Sequence, residues 1–397
     1  MNDLLTQFDA LLSDDGPAAI VLQQWLKPVG GEIIFPPTYA APSQKKGDPP
    51  VYNIDRFGES TTLRKTYEKF KKVHTFTDSE RTEHGKEHSV CVLDSVPSQA
   101  NRIEPAFGDA IADGKLVPEV VVKVKQKDDD GKDIEEVINL LDAGHRAADA
   151  IIRFSSLAEE IGQAIKARRG GNSFPLAKIA PTSLIFGMWD SRATGVKVPR
   201  LMTSIIRAYD VIEFKRSAQF FAATDFDGAG VSAEKGEKGL KKLADAGMAD
   251  VPAPFGLGGI TAKEIRREAS LNLVTLRDTV AIVRDKKGEI DKKSSRVETE
   301  KLQRYLLGLA LVALTWFDGK TLNLRQGCQL VNVLDQPMKR LAINADGNET
   351  EFVIDRKSAI AFAEAAAEAF GVGPKKVGEF EPKKAKEALK KVVEEAE

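Results

Sequence analysis

Cysteine is scarce in this chain: Cys91 and Cys328 are the only two in 397 residues. They lie far apart, which excludes a disulfide framework and fits a reducing compartment. Long apolar runs are missing too. The longest, LLGLALVALTWF at 306–317, falls well short of the ~20 residues a membrane helix needs, so it is expected as a buried helix. The opening MNDLLTQFDALLSDD is acidic and lacks the basic segment that begins a secretory signal. Nor is one sign of charge in surplus. Lys and Arg number 58, Asp and Glu 59, for a formal net charge of −1. So small a net charge names no partner, and any affinity for nucleic acid must come from local patches. The chain is expected to be soluble and cytoplasmic, without membrane contacts. Its 42% apolar and 29% charged residues are those of an ordinary globular protein. The length suits two average domains, or one core with large insertions.

Metal chemistry has little to draw on. There are four histidines, and His74, His84 and His88 precede Cys91. His84 and His88 have helical spacing, but Gly85 intervenes and no Cys-x-x-Cys pair accompanies them, so no zinc site is expected. TDFDGAG, with Asp225, Asp227 and Gly228, lacks the Glu of a calcium loop and reads as an exposed turn. FGLGGI at 255–260 lacks the strand–turn–helix setting of a dinucleotide loop. No serine sits in a nucleophile elbow, and His145 has no nucleophile partner. It reads as a packed or helix-starting histidine. No catalytic residue, metal or cofactor is expected.

Periodicity gives an irregular alternation of helices and strands. Residues 1–28 read as helix, with Leu4, Leu5, Phe8, Leu11 and Leu12 on one face. VYNIDRF at 51–57 and HSVCVLDSV at 88–96 read as strands, and a helix begins at Ser98, a plausible N-cap. VPEVVVKVK and EEVINLL read as a hairpin around KDDDGKD. HRAADAIIRF is amphipathic helix, and TSLIFGMWD at 182–190 is strand. RLMTSIIRAYDVIEF places Leu201, Ile205, Ala208 and Ile212 on one helical face, and helix is preferred there to strand. Polar residues 58–87 and the glycine-rich 225–262 interrupt the pattern. The tail from 375 alternates Lys and Glu at helical spacing. Together these favour an α+β domain with an interrupted core.

Local charge says more than the total. Between 161 and 216 stand Lys166, Arg168, Arg169, Lys178, Arg192, Lys197, Arg200, Arg207, Lys215 and Arg216, against only Asp190, Asp210 and Glu213. Arginine suits phosphates, because its planar fork donates two hydrogen bonds at fixed geometry. PSQANRIEPAF at 97–107 adds Ser98, Gln99, Asn101 and Arg102, neutral and charged donors of the kind that position a backbone without reading sequence. Trp189, Phe226 and Phe255 could stack on bases or belong to the core.

NIDRFG at 53–58 and DSVPSQANRIEPAF at 94–107 resemble the first strand and following helix of the backbone subunits of CRISPR Cascade complexes. LLDAGHRAADAIIRFS, SLIFGMWDSR, VPRLMTSIIRAYDV and LNLRQGCQL are similar to the type I-G (formerly I-U) branch of that RAMP superfamily. The resemblance spans about 53 to 331. It implies a modified RNA-recognition-motif (ferredoxin-like) palm, built from about 51–57, 88–224 and 263–350. A finger-like insertion at 58–87, a thumb-like insertion at 225–262 and a charged helical tail at 375–397 would complete one composite domain. It further implies a non-enzymatic subunit that oligomerises along guide crRNA and presents it to target DNA through an R-loop. Its partners would be further copies of itself and other Cascade subunits, with a nuclease-helicase recruited indirectly. Ser98, Gln99 and Arg102 match the RNA-backbone helix, Asn53 and Arg56 the strand before it, and Lys320 and Arg325 lie in GKTLNLR. Arg146, Arg168, Arg169, Arg192, Arg200 and Arg207 join them as expected RNA contacts, with Trp189 and Phe226 as stacking or thumb residues. Asn101 stands where many relatives outside the branch carry Lys. Two rival readings are an RNA-cleaving backbone subunit of the type III kind, using Asp94, Asp225 or Asp227, and a protein-only assembly module whose arginines grip carboxylates.

Overall fold

The computed structural model describes residues 2–41, 50–57, 88–108, 110–128, 130–226, 228–231 and 237–394. The expected finger at 58–87, with His74 and His84, and Asp227 lie outside these residues. The fold is α+β. Its centre is a nine-stranded sheet of β1 (Ala19–Pro28), β2 (Ile54–Phe57), β3 (His88–Asp94), β4 (Met202–Phe220), β5 (Val251–Asn272), β6 (Leu322–Arg325), β7 (Cys328–Asn332), β8 (Lys339–Ile343) and β9 (Glu349–Glu351). The order is β6-β7-β1-β5-β4-β3-β2, with β8 also on β1 and β9 beyond it. Every pairing in this sheet is antiparallel.

Helices fill the core. α1 is Val96–Ile103, α2 Ala158–Arg169, α3 Lys292–Thr315, α4 Arg356–Phe370 and α5 Pro382–Glu394. The apolar run at 306–317 is the end of α3, buried all round from Tyr305 to Thr315. It crosses α4 closely at Gly308, where a Cβ would stand 2.8 Å from the Ala363 Cα, so only glycine fits. Tyr305 stacks on Phe370 at 4.6 Å between ring centres. Asp291 and Asp355 cap α3 and α4 by accepting the amides of Ser294 and Ser358. No described helix is long and apolar enough to cross a membrane.

Several expectations change. Residues 1–28 are not one helix: helical turns at Asn2–Thr6 and Asp9–Leu11 end before β1. There Ile20, Leu22, Gln24 and Leu26 are buried in strict alternation, the period of a strand rather than a helix. Residues 202–220 are also strand, not helix. Met202, Ser204, Ile206 and Ala208 point inward, while Ile212, assigned to the apolar helical face, is exposed. TSLIFGMWD splits into a helical turn at Thr182–Ile185 and a two-residue strand, Met188–Trp189. The stretch 145–154 forms two short turns rather than one helix. Residues 251–262 belong to β5, so only the outer part of 225–262 projects from the sheet, as the far end of the β4–β5 hairpin. The tail begins with a strand, Lys376–Glu379, parallel to Val120–Lys127 in a separate three-stranded sheet, before α5. The 120–139 hairpin forms as expected.

A chain of polar groups, buried from Gln99 to Gln24 and ending at exposed Asn332, crosses the central sheet. The Gln99 carbonyl oxygen on α1 accepts from Ser204 Oγ at 2.8 Å. Ser204 Oγ accepts from Arg267 Nε at 3.0 Å, and Arg267 Nη1 donates to Gln24 Oε1 at 3.2 Å. Gln24 Nε2 donates to Asn332 Oδ1 at 2.7 Å. Arg267 is fully buried, and desolvation lowers its pKa to about 10, opposed by nearby Asp318. Its guanidinium stands 5.0 Å from the Phe317 ring centre.

Candidate nucleic-acid interface

The candidate interface has two parts. The first is organised by Asp94, the last residue of β3, which is 1% exposed. Ser95 caps α1 by accepting the Ser98 amide, a role expected of Ser98 itself. Ser98 Oγ instead donates to Asp94 Oδ1 at 2.6 Å. Gln99 Nε2 and Arg102 Nε donate to Asp94 Oδ2 at 2.5 and 2.9 Å. Arg102 Nη2 reaches the Leu324 carbonyl at 2.7 Å, and Arg325 Nη2 the Leu93 carbonyl at 2.8 Å. Arg325 also lies 3.8 Å from Asp94 Oδ1. One buried carboxylate thus ties α1 to β3 and β6 and holds two guanidinium groups at a partly exposed edge. Gln99 is fully buried with both ends of its amide bonded, so its side chain positions Asp94 and does not reach the surface.

The second part is a cleft of about 890 Å³ beside α1. Asn101 from α1, His145 and Arg146, Trp189, Lys197 and Arg200 line it, and no lining residue is acidic. Trp189 and Lys197 face each other across the ladder between Met188–Trp189 and Lys197–Val198. Lys197 Nζ stands 4.3 Å from the indole ring centre, a cation–π contact. Trp189 is 59% exposed. Gly187 makes the close approach possible. Its φ is +74°, and a Cβ there would lie 2.8 Å from Arg200 Cγ and 2.9 Å from the Val198 carbonyl oxygen. Asp190, the nearest carboxylate in sequence, is buried and accepts the Thr194 amide and hydroxyl at 2.9 and 2.6 Å, so it shapes the 190–195 turn.

The remaining expected contacts divide. Arg192 is exposed on that turn, and Arg169, at the end of α2, reaches toward Gly195. Among the described residues neither these two nor Arg200 has an acidic partner. Arg168 is half-buried behind them. Arg146 lines the cleft, yet it is 5% exposed and its Nε donates to Glu104 Oε2 at 2.7 Å. Its Nη1 donates to the Gly187 carbonyl at 3.1 Å, and its backbone is left-handed, with φ +55°. Burial pushes the Glu104 carboxyl up to about 7, against the pull of Arg146. Arg207 lies on the opposite, open face of the sheet, paired with Glu268 at 2.9 Å. Lys320 sits 2.9 Å from the Trp316 ring centre, and desolvation lowers it to about 8. Arg56 pairs loosely with Glu213 at 3.4 Å, and Asn53 is exposed between Tyr52 and β2. Phe226 is half-buried at the hairpin end. The structure does not bring Arg207, Lys320 or Phe226 into the cleft.

Sequence reasoning missed Asp94 as an organiser, Lys197 as the partner of Trp189, and His145 as a cleft residue. Asp94 had a signal: Asp94, Ser98 and Arg102 recur every four residues, the spacing of one helical face. Among the described residues no group of His, Cys, Asp or Glu could hold a metal ion.

The sheet-centred α+β fold thus carries a cleft whose lining includes His145, Arg146, Lys197 and Arg200 and no acidic residue. The family model of CRISPR-associated protein GSU0053 matches residues 20–213, which include Asp94 and the whole cleft, and this match supports a CRISPR-associated protein. No curated protein matches the chain.

Proposed function

We propose that the chain is the repeated backbone subunit of a type I-G CRISPR surveillance complex. It binds the guide crRNA without regard to sequence, oligomerises along it and presents it for pairing with target DNA. In this reading the central sheet and α1 are the palm, of the RNA-recognition type, and the β4–β5 hairpin is the thumb. Other Cascade subunits share the particle, and a nuclease-helicase arrives from outside it. The observation that carries the reading is the cleft: cations from two loops, an exposed tryptophan and no carboxylate in its wall. Such a surface favours phosphates and bases together. It sits directly against the helix whose arginine Asp94 holds in place.

A cutting role finds no support in the carboxylates described. Asp94 is buried and bonded to three side chains, and Asp225 accepts the Gly228 amide of its own turn. The test is co-expression with partner subunits and a repeat-spacer array, followed by extraction of bound nucleic acid. A discrete repeat-spacer RNA on a particle holding many copies of the chain is expected. A protein free of nucleic acid would overturn the reading and return the arginines to the carboxylates of a partner.

A further inference from the structure

The cleft also carries a more specific assignment, which rests on the RNA-binding reading above. We propose that Trp189, backed by Lys197, is a one-sided stacking shelf for a single unpaired base of bound RNA, with Arg200 on the adjoining phosphate. The two faces of the indole are not equivalent. Lys197 Nζ, 4.3 Å from the ring centre, occupies one of them. The rest of the ring is open, at 59% exposure, in the wall of a cleft large enough for a nucleotide. One base therefore fits, not a run of them.

The surroundings match such a ligand. Asn101 offers an amide that can both donate and accept, which suits the edge of any base. Arg146 in the same wall is held by Glu104 and by the Gly187 carbonyl. Arg200 crosses Gly187 at the mouth, with no carboxylate among the lining residues to compete with a phosphate. Stacking on an aromatic ring tolerates every base, as a carrier of arbitrary guides requires. A base inside a duplex has both faces covered, so the shelf takes only an unpaired one.

The test compares Trp189→Leu, Trp189→Phe and Arg200→Ala in the full chain. Anisotropy of a labelled oligouridylate is followed over a range of salt concentrations, with thermal melting as the check on folding. Trp189→Leu is expected to weaken binding about tenfold with the salt slope unchanged, because stacking is not an ionic contact. Trp189→Phe should recover most of that loss, while Arg200→Ala should flatten the slope. Loss in Trp189→Leu that is smaller than threefold overturns the shelf and leaves the RNA-binding reading intact. If Trp189→Leu instead breaks association between copies while RNA binding stays normal, the tryptophan is a protein contact and the shelf is wrong. Wild-type chain that binds no RNA removes both.

Discussion

At the scale of single residues, two buried acids do different work. Asp94 keeps two guanidinium groups in register at the edge of α1. Its removal leaves Arg102 and Arg325 facing each other without a counter-charge. Asp94→Ala is expected to cost about 3 kcal/mol in a denaturant titration; a loss below 1 kcal/mol would show that the carboxylate does not organise this edge. Glu104 is a case of titration. Folded, it ionises near pH 7, because burial opposes the charge; unfolded, it ionises near its ordinary 4.5. Between those values the folded state binds more protons, so stability falls as pH rises through that window and levels off above it. Glu104→Gln is expected to flatten the Tm–pH curve between about 4.5 and 7, and an unchanged slope would assign the dependence to another group.

At the scale of elements, the long strands β1 and β4 and the short turns were harder to read than the apolar helix. The apolar end of α3 was legible because a run of that length without a charge has few other places to go. β4 was not, because Leu201, Ile205, Ala208 and Ile212 satisfy helical spacing while Met202, Ile206 and Ala208 satisfy the strand's. Flanking by β3 and β5 decides it, and no local window contains those neighbours. β1 was obscured in the same way by Gln24, a polar residue on its buried face. The cleft was legible only in pieces: Trp189 and Arg200 stood out, but their meeting with Asn101 and His145 joins three separate segments. The β4–β5 hairpin yields its own prediction. Phe220 still pairs with Val251, so an Asn-Gly turn can replace 221–250 without breaking the ladder. The shortened chain is expected to melt within a few degrees of wild type and to assemble poorly on RNA. Ile260 is fully buried and bridges Ile34, so a deletion extended to 260 should fail to fold.

At the scale of the molecule, a net charge of −1 conceals a concentrated positive surface. Lys197 and Arg200 line the cleft, Arg192 is exposed on the 190–195 turn next to it in sequence, and Arg169 at the end of α2 reaches toward Gly195 of that turn. Four phosphate contacts would give a slope of roughly −3 when log K for single-stranded RNA is plotted against log salt, and each cation replaced by alanine should reduce it by about 0.7. A slope near zero would mean that these side chains do not neutralise phosphate.

The polar chain from Gln99 to Asn332 also constrains how the protein can diverge. From Gln99 to Gln24 the links lie in the interior, and exposed Asn332 closes the chain on Gln24 Nε2. A change at any single position strands a buried donor or acceptor in the next strand. Gln24, Gln99, Ser204, Arg267 and Asn332 are therefore bound to vary in company. A lineage with leucine at 24 should have given up the guanidinium at 267 as well, and the history of this sheet would be written in those five positions together.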